Sequence, residues 1–287
     1  PGNERTECEG YVISGSLGLR LRSSSANETL VGRIRQGGLA GEMALLTDEP
    51  AGATVYAIRE AELVQFANRQ FAPLLHEHPK FLLHLARKGL SRSSETSPAH
   101  ASEPFATIVS LIPSARAPLP EFARLLAEEL SRYSPVLHLN SENIDAILEV
   151  PGVSQAPKVS PQSTRFSAWL SAQEGKYRFI LFEADATDTN WTKRCIAQSD
   201  QVVTVALAGE SPSLDPIEAR LYQGDRLGGL PKRLVLVHPD GAGRPTQTGK
   251  WLAMRKLTMH HHVRLGRRED VQRLARFLSG SAVCLAL

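Results

Sequence analysis

Fourteen residues from Ser91 to Pro104 (SRSSETSPAHASEP) divide this sequence into two parts with different periodicities. The stretch is rich in serine and proline and carries no apolar period, so it buries too little to offset the entropy of ordering it. It reads as a linker between domains. With 287 residues in all, two domains are also what chain length leads one to expect. The division is therefore 1–90, a linker over 91–104, a second domain over 105–280, and a short apolar tail over 281–287.

Upstream of the linker, the runs Gly10–Ile13, Leu17–Arg22, Leu30–Ile34, Thr54–Ala57 and Glu62–Phe66 are short and β-rich, with Gly15, Gly18, Gly37 and Gly38 as turn residues between them. From Asn68 the period turns helical. Phe71, Leu74 and Leu75 share one face, and Pro79 opens a second helix carrying Leu82, Leu83 and Leu85. A small β-roll with C-terminal helices is expected. Downstream, strands are expected at Phe105–Ile112, Val136–Leu139, Tyr177–Phe182, Gln201–Leu207, Arg233–His238 and near His261–Leu265. Helices are expected at Leu119–Arg132, at Ile144–Leu148 with Ser141 as N-cap, and around Phe166–Leu170 after a loop holding Pro151, Pro157 and Pro161. Three more are expected through Trp191–Ala197, Ile217–Tyr222 and Arg268–Phe277. Several of these strands are apolar throughout, as in a parallel sheet covered on both faces, so the second domain is expected to be a doubly wound α/β fold.

Composition narrows the function. Hydrophobic residues make up 42% and charged residues 22%, the balance of an ordinary soluble globular protein. The longest apolar run is Ala282–Leu287, far short of the ~20 residues that span a bilayer. Three cysteines, Cys8, Cys195 and Cys284, are odd in number and far apart, which points to a reducing, cytoplasmic setting. The excess of 33 basic over 30 acidic residues gives only +3, too little to imply nucleic acid as a partner. The sequence starts at Pro1 instead of Met and stops inside an apolar run, so it is expected to be a fragment.

The run from Gly41 to Val55 (GEMALLTDEPAGATV) resembles the phosphate-binding cassette of cyclic nucleotide-binding domains. The likeness extends upstream through Gly10–Leu19 (GYVISGSLGL) and downstream through Ala57–Leu63 to His78 and Pro79, about ninety residues in all. The family's first helix and opening strands have no counterpart, so the resemblance implies an N-terminally truncated roll. In that family a short helix offers backbone N–H groups to the cyclic phosphate, a glutamate holds the ribose hydroxyl, and an arginine pairs the phosphate charge. Gly41 and Glu42 match the glycine and glutamate, while Ala53 and Thr54 match the closing small residue and hydroxyl. The candidate ligand set is Gly41, Glu42, Met43, Ala44, Ala51, Gly52, Ala53 and Thr54. Ala51 stands at the arginine position. The lost phosphate partner is worth about 1.5–3 kcal/mol, so a roll that binds cyclic nucleotide weakly or not at all is expected. On that reading Glu42 only caps a turn. An α/β domain follows in place of a helix-turn-helix module, which argues against a gene regulator.

After the linker, Leu111–Ser114 (LIPS), Leu119–Phe122 (LPEF), Ala168–Ser171 (AWLS), Trp191–Asp200 (WTKRCIAQSD), Lys232–His238 (KRLVLVH) and Arg273–Gly280 (RLARFLSG) resemble a particular region of the neuropathy target esterase group of patatin-like phospholipases. It is the segment between that group's cyclic nucleotide-like domains and its catalytic domain. The resemblance implies a non-catalytic regulatory region of a (lyso)phospholipase, with a downstream patatin-like catalytic domain as its partner and Ala282–Leu287 as the stub of that domain's first strand. It also implies a location in the cytoplasm or at the inner membrane face, against an anionic membrane surface. The catalytic serine of that chemistry sits on Gly-x-Ser-x-Gly beside a glycine-rich oxyanion loop, and neither occurs in these 287 residues. The alternative reading is a cyclic nucleotide-sensing or scaffold module without hydrolase activity.

A second likeness is to P-loop ATPases of the chromosome-partitioning type, through Phe179–Asp185 (FILFEAD) and Ser199–Val205 (SDQVVTV). The loop that would cradle phosphate is Pro113–Pro120 (PSARAPLP), with three prolines and neither glycine nor lysine, so a degenerate P-loop or Rossmann-like fold without a nucleotide cofactor is expected. Asp185 is then either a relic of a metal-side carboxylate or an ordinary strand-end cap. In the run His260–His262, strand alternation sends His260 and His262 to one face and His261 to the other, too few for zinc. Arg255, Lys256, Arg264, Arg267, Arg268, Arg273 and Arg276 form a basic segment, read as solvated or facing anionic headgroups. Trp169, Trp191 and Trp251 are expected between helices and sheet.

Overall fold

A computed structural model describes residues 8–21, 30–41, 53–67, 73, 76–78, 80, 106–114, 116–223, 230–241, 245 and 247–280. The linker, the apolar tail and the apolar positions of the two helices expected over 71–85 lie outside the described residues. The chain divides into two compact units, Pro1–Pro104 and Phe105–Leu287.

The first unit holds β1 (Cys8–Ser14), β2 (Ser16–Leu21), β3 (Leu30–Arg35), β4 (Leu39–Ala40), β5 (Ala53–Ala57) and β6 (Glu62–Ala67). They form two antiparallel sheets, ordered β4-β1-β6 and β3-β2-β5. Gly15 lets the chain pass from one sheet to the other. Its φ is +83°, and a Cβ there would sit 2.1 Å from the Glu60 carbonyl oxygen, so only glycine fits. Val12, Leu17 and Ile34 form the buried cluster of this unit.

The second unit is a six-stranded parallel sheet of β7 (Thr107–Ser114), β8 (Val136–Leu139), β9 (Phe179–Glu183), β10 (Gln201–Leu207), β11 (Lys232–His238) and β12 (Met259–Arg264). Its order is β12-β11-β10-β7-β9-β8. The helices are α1 (Leu119–Leu130), α2 (Ser141–Leu148), α3 (Pro161–Glu174), α4 (Asn190–Ala197), α5 (Pro216–Gln223), α6 (Thr248–Ala253) and α7 (Arg268–Leu278). Alternation along each strand supplies two cores. Val109, Leu111, Leu181, Val203, Val205, Val235 and Val237 meet α1 and α7 on one face. Ile108, Ile112, Ile180, Phe182 and Val202 meet α2, α3, α4 and α5 on the other, and Ala206, Leu234 and Leu236 receive Trp251 of α6 there. Right-handed crossovers require this split. Every connection that steps from β8 toward β12 carries its helices on one face, and only β7 to β8, which steps the opposite way, puts its helix on the other.

Three details differ from expectation. Asn140, not Ser141, is the N-cap of α2: its side chain accepts from the Glu142 and Asn143 amides, and Asn143 returns a bond to the Asn140 amide. Pro161 is not in the loop but starts α3 beneath the Ser160 cap, where a missing N–H costs nothing. The helix α6 and the two-residue β4 were not expected at all. Among the described residues no helix is long and apolar enough to cross a membrane.

Candidate functional site

Of the cassette-like residues, Gly41, Ala53 and Thr54 are described. Gly41 follows β4 with φ +102°, a conformation that suits glycine, and Ala53 and Thr54 open β5 opposite Leu21 and Arg20. Glu42, Met43, Ala44, Ala51 and Gly52 lie outside the described residues.

In a doubly wound sheet the natural ligand crevice lies at the carboxyl ends of the strands where the winding reverses, here beside β7. The structure places polar side chains there, and they bond to one another. Ser114, at the end of β7, donates to Glu218 Oε2 of α5 at 2.6 Å. Arg255, just past α6, donates from Nε to Glu218 Oε1 and from Nη2 to Glu218 Oε2, both at 2.8 Å. Its Nη1 reaches the carbonyls of Pro212 and Trp251, and its guanidinium lies 4.6 Å from the Trp251 ring centroid. Both charged side chains are fully buried. Asp215 caps α5 by accepting from the Glu218 amide, and burial pushes its carboxyl above the usual range. Tyr222 donates or accepts at Thr204 Oγ1, and burial raises its phenol to about 12. Arg255 therefore leaves the solvated basic segment expected for it and becomes half of an internal lock.

Among the described residues of the loop from Ser114 to α1, two prolines flank the helix start. Pro118 stands at the N-cap with no side-chain cap, Pro120 removes a donor from the first turn, and Leu119 donates to Ala117. Asp185, beyond β9, accepts from Ser141 Oγ at 2.6 Å, Gln155 Nε2 at 3.0 Å and Thr189 Oγ1 at 2.5 Å. Its oxygens tie together the start of α2, the proline-rich loop and the N-cap residue of α4 through their side chains.

The block Trp191–Asp200 is structural. Trp191 is fully buried, its ring 5.9 Å edge-on from Phe166 and 5.6 Å from Phe182, and its Nε1 donates to the Glu183 carbonyl at 2.8 Å. Arg194 binds the proline-rich loop through the carbonyls of Val153, Ser154 and Ala156 and lies 5.0 Å over the Phe166 ring. Cys195 is buried, and burial pushes its thiol well above the ordinary value, away from the reactive thiolate. Asp200 accepts from the Ile108 amide at 2.9 Å and fixes the start of β7 against β10.

His260 and His262 do share a face, with rings 5.6 Å apart, and His238 of the adjacent strand joins them at 2.8 Å from His262. Spacing along the chain could not place His238 there, because it comes from β11. Among the described residues no group of three or more His, Cys, Asp or Glu side chains is arranged to hold a metal ion. His261 turns inward against Phe277, where burial and then Arg233 lower its imidazole to about 4.

Comparison with known proteins gives two family matches. Residues 104–280 match the neuropathy target esterase family P-loop like domain, and residues 2–78 match the cyclic nucleotide-binding domain. Among curated proteins, patatin-like phospholipase domain-containing protein 6 of Pongo abelii is 30% identical, with 99% of this chain covering 24% of that protein. Patatin-like phospholipase domain-containing protein 7 of Rattus norvegicus is 28% identical with the same two coverages. Lysophospholipase nte1 of Aspergillus terreus is 29% identical, with 89% of this chain covering 18% of it. The chain thus spans about a quarter of the length of these two patatin-like relatives.

Proposed function

The chain belongs to the neuropathy target esterase family, and on that premise we propose that it is a non-catalytic regulatory region of a patatin-like lysophospholipase whose serine domain lies downstream. One observation carries this reading: nearly all of the chain aligns with a quarter of such a protein, yet no Gly-x-Ser-x-Gly or glycine-rich oxyanion loop occurs in it. The topology supports it. The helix α7 shares a face with α1, so a parallel strand added outside β12 after α7 would need a left-handed crossover. We propose that the apolar run Ala282–Leu287 belongs to the following domain. The α/β unit acts as a degenerate nucleotide-type spacer, its crevice filled by Ser114, Glu218 and Arg255. The exposed Arg267, Arg268 and Arg276 are the surface that would meet anionic headgroups on the cytoplasmic side.

The test is fatty-acid release from lysophosphatidylcholine by this chain and by the chain continued through its natural downstream sequence. Activity is expected only in the longer protein and is lost when its elbow serine becomes alanine. Equal activity in both would place the nucleophile within residues 1–287 and defeat the reading.

For the roll we propose weak or absent cyclic nucleotide binding, because Ala51 leaves the phosphate charge without its arginine. Ala51→Arg should tighten cyclic AMP by about ten- to a hundred-fold in calorimetry, the equivalent of one charge-assisted hydrogen bond. No gain would show that the pocket is closed for another reason. Micromolar binding by the unaltered chain would favour the sensor reading instead.

A further inference from the structure

The strand β12 closes the sheet on one side, and the bonds of the neighbouring strands fix which of its backbone groups face outward. Val202 donates to Pro231 and Ala208 to Val237, so Arg233, Val235 and Val237 address β10, and the residues between them address β12. Parallel pairing then turns His261 and Val263 of β12 inward, and His260, His262 and Arg264 outward. An outer edge of this kind is a template for another strand.

The outward groups meet side chains of α7. The His262 carbonyl accepts from Arg273 Nη2 at 3.1 Å, and the Arg264 amide donates to Asp270 Oδ2 at 3.1 Å. Asp270 Oδ1 and Arg273 Nη2 are 3.0 Å apart, so the two side chains hold each other in place. The Arg264 carbonyl is taken up by the Arg267 amide at the turn into α7. A carboxylate faces an N–H and a guanidinium faces a C=O, the acceptor and donor that a seventh strand would bring.

We infer that Asp270 and Arg273 form an edge clasp, which imitates a neighbouring strand and keeps a second copy of this chain from pairing with β12. The device matters here because the sequence carries an apolar run, Ala282–Leu287, only a few residues beyond α7. An unclasped edge would be exposed to that run from another molecule as well as to a second β12.

The experiment uses the whole 287-residue chain as wild type, Asp270→Ala, Arg273→Ala, and a double variant combining Asp270→Arg with Arg273→Asp. Sedimentation reads self-association, and amide exchange reads the Arg264 N–H. All three variants should self-associate at concentrations where the wild type does so less. In the two that replace Asp270, the Arg264 amide should exchange about ten-fold faster or more. The exchanged pair is decisive. It keeps an ion pair on α7 but sets a donor against the Arg264 amide and an acceptor against the His262 carbonyl. Wild-type behaviour of that variant would mean an ordinary salt bridge and would overturn the proposal. If loss of Asp270 loosened α7 itself, amides across Val271–Leu278 would quicken too. Arg273→Ala, an exposed change away from the buried face of that helix, then decides, and unaltered self-association in it overturns the clasp.

Discussion

Glu218→Ala should lower the stability of the α/β unit by about 3–5 kcal/mol, because it leaves the Arg255 guanidinium buried without a counter-charge. Arg255 is fully buried, its guanidinium packed on the Trp251 ring and bonded to the carbonyls of Pro212 and Trp251. A domain of this size is stable by about 5–15 kcal/mol, so the loss is a large fraction of the total. Urea unfolding followed by tryptophan fluorescence and circular dichroism gives the midpoint. Replacing both partners, Glu218→Leu with Arg255→Met, should recover most of the loss, since a well-packed apolar pair avoids the desolvation that the ion pair incurs. A single variant as stable as the wild type would mean that the lock is dispensable and that the crevice admits solvent.

The second large effect is expected at Trp191. Truncation to alanine removes a fully buried indole that touches Phe166 and Phe182, and it orphans the Glu183 carbonyl at the end of β9. The expected cost is about 3–5 kcal/mol. Trp191→Phe keeps most of the buried area and loses the indole N–H, so its cost should be nearer 1–2 kcal/mol, roughly the value of one hydrogen bond plus a small cavity. Thermal unfolding read by circular dichroism ranks the two without relying on the fluorescence of the residue removed. Equal losses in both variants would assign the effect to the hydrogen bond alone.

The strands that could be read directly from the sequence are those whose chemistry is local. Val136–Leu139 and Gln201–Leu207 fall where their apolar content puts them, and α1 follows the stripe of Phe122, Leu126 and Leu130. What escaped notice was short or long-range. The helix α6 buries only Trp251 in six residues, too little periodicity to register. Asn140 outcompeted Ser141 as a cap because the reciprocal bond from Asn143 fits only the earlier position. The lock was invisible for a different reason. Glu218 and Arg255 lie 37 residues apart, each within a polar stretch that looks solvated, and only the turn of β10, α5, β11 and α6 brings them together. His238 reaches His262 across 24 residues by strand pairing, which no spacing rule along one strand anticipates.

The position of α7 also determines how this unit can be spliced into a longer protein. The chain begins the sheet at the amino end of β7, and α7 starts beyond the carboxyl end of β12 and runs back along the sheet for eleven residues, about 16 Å. Both connections therefore sit at the same pole, while Ser114, Glu218 and Arg255 sit at the other. A unit whose two ends meet at one pole takes insertions at the other without moving those ends. Evolution can lengthen its distal loops, as between β10 and α5 or between β11 and α6, without altering the spacing of its two ends.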